Sequence, residues 1–234
     1  MKPSELESDF LRYIVANGHQ PGDQLPTLGD LSDRLNISVG KLREQMEVAR
    51  SLGIVDVRPR TGMRLEPYNF LPAVRYSLLF ALATDPDYFQ HFSALRNHIE
   101  SSFWREAVAL LTEDDKRELQ ALMQSAWAKL NGATIQIPHA EHKNLHLLIF
   151  SRLNNPFVKG LLEAYWEAYE AVELNLFSDY QYLREVWDYH QRIVDSILND
   201  DPEAGHALLD EHTNLLRHRV APDERERNGV AAVA

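Results

Sequence analysis

Four of the ten histidines are spaced so that their imidazoles can meet. His142 and His146 are four residues apart, so on a helix they share a face and can grip one ion. His190 falls on an apolar stripe with Trp187, Ile193, Val194 and Ile197, and His212 on one with Leu208, Leu209, Leu215 and Leu216, so both are expected to point inward. A lone inward histidine is commonly a core residue satisfied by a backbone carbonyl. Four together differ: a protonated cluster repels itself, whereas a neutral one offers nitrogen donors to a divalent ion. An ion held by three or four imidazoles, with one position left for water, would serve either as a Lewis acid for hydrolysis or as an anchor for a ligand carboxylate. No general base stands out on a neighbouring turn, and the helical context favours the anchor.

The elements that must position these rings are helices. Past Pro67 the periodicity is helical almost to the end and no strand pattern appears. The spacing predicts helices over 73–83, 86–110, 113–130, 134–153, 156–178, 180–199 and 202–219, an all-α domain over 73–220. Thr112 with Asp115 has capping-box spacing, Asn154-Asn155-Pro156 separates two helices, and Asp201-Pro202-Glu203 reads as a cap, a first-turn proline and a first-turn acid. Residues 67–72, bounded by two prolines, read as a linker. The polar tail 221–234 is expected to be disordered.

The first 66 residues have another texture. Leu6, Phe10, Leu11 and Ile14 share a helical face that ends at Asn17-Gly18. Thr27 and Asp30 open a second helix striped with Leu28, Leu31 and Leu35, and Asn36 turns the chain. Ser38 caps a third helix whose Leu42, Met46 and Ala49 face inward, leaving Lys41, Arg43 and Gln45 to point elsewhere. Gly53 ends it, and 54–57 and 63–65 flank Pro59-Arg60-Thr61-Gly62 as a two-stranded hairpin. That order of elements is a winged helix-turn-helix suited to duplex DNA, against the alternative of a small αβ domain with a basic rim.

Charge agrees with a local interface. The 234 residues carry a formal charge of -11, which argues against nucleic-acid or anionic-membrane binding by the whole surface. Residues 1–68 hold nine Lys or Arg against ten Asp or Glu, the remainder fifteen against twenty-five. Within 39–64 the balance turns positive, with Lys41, Arg43, Arg50, Arg58, Arg60 and Arg64 against Glu44, Glu47 and Asp56. With 44% apolar residues the chain can fill one large or two modest cores. It lacks cysteine, hence disulfides and thiolate metal sites, and shows neither an apolar run of about 18 residues nor a signal pattern. A cytoplasmic location is expected.

The stretch Pro21–Leu65 resembles the DNA-binding half of the GntR family of bacterial transcription regulators, whose pattern is PGDxLPSERxLAxxLGVSRxTVREALRxLExxGLVxxRxGxGTxV. Pro21-Gly22-Asp23, Leu25-Pro26, Leu31, Leu35, Ser38, Leu42-Arg43-Glu44, Met46, Gly53-Ile54-Val55 and Gly62 carry the match. Gly29 and Val39 stand where the family has arginines, so of three helix arginines that commonly reach DNA only Arg43 remains, and Arg60 replaces a wing glycine. A bidentate arginine–guanine contact contributes roughly 1–3 kcal/mol of discrimination, so an altered operator is expected. The candidate DNA-facing residues are Thr27, Ser38, Lys41, Arg43, Arg58, Arg60, Thr61, Gly62 and Arg64, with Lys41, Arg58, Arg60 and Arg64 carrying more of the phosphate and minor-groove contact.

Residues 73–220 resemble the FCD-type effector domain of the FadR subfamily. Its metal site is an Asp and a His four apart followed by two later histidines, and HQRIVDSILNDDPEAGHALLDEH follows its pattern HxxIxxAIxxxDxxxAxxxxxxH from His190 to His212. His142 occupies the place of the aspartate. The resemblance implies His142, His146, His190 and His212 as ligands of a divalent ion, and the all-nitrogen set favours Zn, or Ni, over Mn or Mg. An empty site with His142 as a mere replacement is the other reading. Arg96 stands where relatives direct an arginine at the ligand pocket and would take the carboxylate of a small organic acid, unless it simply pairs with Glu100 four residues on. Asn154 and Trp187, with His98 and Tyr189, are further pocket candidates. The implied protein is a homodimeric regulator and not an enzyme, reading an inverted-repeat operator under control of an organic-acid effector. The rival functions are a non-DNA-binding partner protein and an all-helical metalloenzyme.

Overall fold

The computed structural model describes residues 5–172 and 180–220, and side chains as far as Thr213. The chain divides into two compact units, Met1–Ser77 and Leu78–Ala234.

In the first unit, α1 (Asp9–Ala16) starts after Ser8, whose side chain accepts from the Leu11 amide. Leu6 therefore precedes the helix, and Tyr13 joins Phe10 and Ile14 on the buried face. α2 (Leu28–Leu35) opens on the Thr27–Asp30 capping box and closes on Asn36, at φ 53°. α3 (Val39–Ser51) is capped by Ser38 and buries Leu42, Met46 and Ala49. The turn after it needs a left-handed residue, which Gly53 supplies at φ 69°. β2 (Val55–Arg58) and β3 (Gly62–Leu65) form the wing.

The sheet has a third strand that the expected two-stranded ribbon lacked. β1 (Gln24–Leu25) lies on the other side of β3, pairing Gln24 with Arg64 and Leu25 with Met63, in the order β1-β3-β2. Two residues carry no measurable alternation, so β1 has no sequence signal of its own; the burial of Leu25 in the core holds it there.

The helical segments are α4 (Leu71–Thr84), α5 (Tyr88–Ala109), α6 (Glu113–Leu130), α7 (His139–Ile149), α8 (Pro156–Ala171), α9 (Tyr180–Leu198) and α10 (Pro202–Val220). α4 begins inside the expected 67–72 linker because Asn69 Oδ1 accepts from the Leu71 amide and Pro72 is tolerated in a first turn. α7 starts five residues later than the spacing predicts: Pro138 disfavours helix for the residue before it, so Thr134–Pro138 stays outside. It also ends at Ile149 rather than 153. The expected helix 156–178 runs to Ala171, its remainder past 172 lying outside the described residues, as does the expected disordered tail 221–234. Caps form at Thr112–Asp115, at Asn155, and at Asp201, which accepts from the Ala204 amide. No helix among the described residues is long and apolar enough to cross a membrane.

The packed helix pairs close a ring: α5 on α8, α8 on α7, α7 on α6, α6 on α9, α9 on α10, and α10 back on α5. Its core holds Trp104, Leu119, Leu145, Ile193, Val194 and Ile197, all at most 0% exposed. The pattern's two alanines are Ser196 and Gly205 here. They face each other: a Cβ on Gly205 would press on Ser196 Oγ and lie 2.6 Å from Trp104 Cζ2. The larger residue on α9 is thus accommodated by the smaller one on α10, which lets the two helices carrying His190 and His212 approach. Gly205→Ala is expected to cost about 2 kcal/mol in a urea melt. Adding Ser196→Ala should recover part of it, and strict additivity would contradict the coupling.

Candidate metal centre and nucleic-acid interface

α7, α9 and α10 each turn histidines into the middle of the helix ring. His146, His190 and His212 are 1%, 0% and 0% exposed. His142 is partly exposed, but its Nε2 is buried. One nitrogen from each ring lies within 4.8 Å of the others. Ring centroids are 4.3 Å apart for His190–His212, 4.7 Å for His142–His190 and 5.2 Å for both His142–His146 and His146–His190. Tetrahedral zinc with bonds of about 2.05 Å separates its donors by roughly 3.3 Å, so the widest pair must close slightly around an ion.

The donors fit a cation by their chemistry. His142 Nε2, His190 Nδ1 and both nitrogens of His212 are buried without a protein hydrogen-bond partner. A buried unsatisfied polar atom costs about 1–3 kcal/mol, so four in one place need an explanation, and a nitrogen-binding ion supplies one. Burial, reinforced by the neighbouring rings and Arg96, holds all four imidazoles well below their ordinary pKa of 6.5, hence neutral and able to ligate.

α5 and α8 close the cluster. Arg96, 2% exposed, donates from Nη2 to His146 Nδ1 at 2.8 Å and from Nη1 to Asn97 at 3.2 Å. Its Nε lies 2.9 Å from Glu100 Oε1, an ionic contact not aligned as a hydrogen bond. The expected Arg96–Glu100 pair is present, and the same guanidinium is set against His146. Its guanidinium also stacks 4.8 Å from the Tyr165 ring centroid. Glu100 is fully buried, and desolvation pushes its carboxyl up to about 7 against the pull of Arg96. Trp166 stands 4.7 Å from His142, and Trp187 5.0 Å from His190. Sequence reasoning placed Trp187 here but missed Trp166, although Leu162, Tyr165, Trp166 and Tyr169 fall at helical spacing on one face of α8. Tyr189 lies 6.3 Å from His212. Asn154 and His98 do not join them: both are exposed, Asn154 in the turn before α8 and His98 on the outer side of α5.

A cleft of about 30 Å³ between Pro138, His139, Tyr169, Leu183 and Trp187 reaches His142. That is room for water or an ion, whereas organic ligands occupy cavities of about 300 Å³ and more. The larger grooves, about 370 Å³ beside Asn144 and Lys159 and about 360 Å³ beside Arg105 and Lys116, include none of the four histidines in their linings.

In the first unit all nine candidate DNA-facing residues are exposed. They are not equally available. Lys41 pairs with Asp9 at 3.0 Å, Arg58 with Asp56 at 2.6 Å, and Arg64 donates to the Gly22 carbonyl at 3.1 Å. Gln45, expected to point away, instead ties α3 to α1: its Oε1 accepts from the Phe10 amide and Ser8, and its Nε2 donates to Asp9. Thr27 and Ser38 cap α2 and α3. Arg43 and Arg60 enter none of the ion pairs among the described residues. Arg60 is held at φ 71°, a conformation a glycine adopts without strain. A side chain at Gly29 would meet only Thr27 Oγ1 at 3.7 Å, and Val39 is 36% exposed, so nothing in the fold forbids the arginines missing there.

Comparison with known proteins gives one consistent picture. The FCD domain matches residues 92–215. The chain is 25% identical over 209 residues to the HTH-type transcriptional regulator YcbG of Bacillus subtilis, covering 89% of this chain and 85% of that protein. It is 22% identical over 220 residues to the HTH-type transcriptional repressor NanR of an Enterobacter species, at 92% and 82% coverage. A solved GntR structure from Streptococcus agalactiae superposes with a TM-score of 0.64 at 19% identity, over 89% of this chain and 95% of that one, a likeness of fold.

The buried rings give stability a signed pH dependence. Unfolded histidines take up protons near 6.5 and the folded ones resist, so from these four groups stability falls as pH drops below about 6.5. Glu100 acts oppositely between its ordinary 4.5 and about 7, but it is one group against four. Chelator-treated protein should melt at lower temperature at pH 5.5 than at pH 7.5. An unchanged or higher melting temperature at pH 5.5 would contradict the burial of neutral imidazoles.

Proposed function

On the premise that the chain belongs to the GntR family of DNA-binding transcription regulators and carries its FCD effector domain, we propose that its four-histidine cluster holds a divalent ion, zinc by the donors' chemistry, and through it a small organic acid that adjusts operator binding. The observation that carries this reading is the convergence of four neutral imidazoles, three of which have nitrogens without a protein partner. Bound there, the ion would supply a Lewis-acid anchor for a carboxylate. An all-imidazole set leaves it a net charge of about two, one more than with an aspartate in place of His142. The relatives it resembles over most of its length are regulators, and the chain is no enzyme.

The chain's own residues divide the task. His142, His146, His190 and His212 hold the ion; Arg96, once freed from His146, takes the anion; Trp166 and Trp187 keep water out. The 30 Å³ cleft must widen to admit an organic acid, so the ligand favours a state in which the wall at Tyr169 and Trp187 has moved. In a homodimer, two copies of α3 would enter successive major grooves roughly 34 Å apart on an inverted repeat. Arg43 would read a base edge, and Arg60 and the α2 and α3 amino ends would take phosphates. Whatever factor the ligand imposes on operator affinity, the operator imposes on ligand affinity.

Two sets of variants test this. His190→Ala and His212→Ala should each lower metal content by elemental analysis and melting temperature; undiminished stoichiometry in both would refute the site. In salt-titrated fluorescence anisotropy with selected duplexes, Arg43→Ala should lose sequence preference, about 10-fold in affinity or more. Arg60→Gly should stay within about 0.5 kcal/mol of the parent in stability, because relieved strain offsets chain entropy, while its salt slope shallows by about one. Equal binding by all three proteins would place the interface elsewhere.

A further inference from the structure

His146 stands between two groups that make opposite demands on one nitrogen. Arg96 Nη2 lies 2.8 Å from His146 Nδ1. A guanidinium can only donate, so Nδ1 carries a lone pair and the neutral ring's single proton sits on Nε2. On the other edge Nε2 is 3.1 Å from His190 Nε2, which can accept the proton so placed. Yet this Nε2 edge faces the cluster, and to ligate a cation His146 must offer a lone pair there. The proton then belongs on Nδ1, where it would meet an N–H of Arg96 head on. An acceptor for it is already in place. Glu100 Oε1 lies 3.4 Å from Nδ1, and neither Glu100 oxygen accepts an aligned hydrogen bond.

We propose that Arg96 and Glu100 form a tautomer switch on His146, in which cation binding by the cluster passes the Nδ1 contact from Arg96 to Glu100 and releases Arg96 Nη2 to receive an anion. The inference rests on the metal-site reading above and deepens it. One N–H bond is lost at Nε2 and one gained at Nδ1, and the lone pair freed at Nε2 goes to the cation, so His146 itself releases no net proton. Arg96 does not leave with the contact: its Nε remains beside Glu100 and its plane on Tyr165, so the released Nη2 stays poised at the edge of the cluster. Arg96 and Glu100 are therefore positioning residues for His146. Partners of this kind on a ligating histidine typically contribute 10- to 100-fold in metal affinity. The same hand-over makes the anion site conditional: Arg96 is engaged by His146 until a cation arrives, so cation and carboxylate bind with positive coupling.

The test reads the ring proton directly. Long-range ¹H–¹⁵N spectra of ¹⁵N-labelled full-length protein, with His146 assigned by its loss in His146→Gln, should show the Nε2–H form after chelation and the Nδ1–H form after one equivalent of zinc. In Arg96→Met the Nδ1–H form is expected before zinc is added, a change that a merely structural arginine would not produce. Glu100→Gln should weaken zinc binding at least 10-fold in a competitive chelator titration. Zinc uptake by the parent with an unchanged His146 tautomer would overturn the switch and leave the metal site standing. No zinc uptake at all would overturn both.

Discussion

An imidazole nitrogen removed from water and given no partner in the protein costs free energy in proportion to what it has lost, and here several such nitrogens are gathered at one point. The helix ring can hold them only because its surroundings keep them uncharged. Desolvation suppresses protonation, and the guanidinium of Arg96 disfavours any further positive charge. A neutral, dry, nitrogen-rich centre is poorly suited to a folding core and well suited to a borderline-soft cation. The close approach of α9 and α10 through Ser196 and Gly205 and the layer of Trp166 and Trp187 rings both serve that centre.

The two units answer to different forces. The helical unit concentrates polar groups inside; the winged unit puts them outside and holds most of them in local pairs. Lys41, Arg58 and Arg64 already have partners, so each must break a contact before it serves a phosphate. Arg60 has the reverse arrangement, an exposed arginine kept at a left-handed backbone position. Such strain at an exposed loop tip points to selection for the side chain over the fold. Arg43 and Arg60 are thus exposed arginines of this unit's α3 and wing that enter no ion pair among the described residues.

Much of this was legible in the sequence. Periodicity located the helices, capping residues marked the starts of α2, α3, α6 and α10, and His190 and His212 turn inward as expected, although Leu215 and Leu216 of the His212 stripe lie outside the described side chains. Periodicity reports which side of a helix turns inward and is silent on which inward atoms meet across 44 positions of chain, so the His146–His190 contact and the second demand that Glu100 makes on His146 were not visible. Alternation cannot reveal a two-residue strand, which hid β1. At α7 the expected start at 134 missed the constraint from Pro138, which sets the start at His139. Gln45 was misjudged because its partners, Ser8 and Asp9, stand at the start of another helix, 36 or more positions away in the chain. Asn154 lies apart from the histidines because it sits in the turn before α8 and faces solvent.

The central claim is that four imidazoles from three helices share one ion. X-ray absorption at the zinc edge of the protein loaded with one equivalent measures this directly. The account predicts a first shell of nitrogen or oxygen alone at about 2.0–2.1 Å, with outer-shell scattering from at least three imidazole rings. A shell dominated by carboxylate or water, with one imidazole or none, would contradict it.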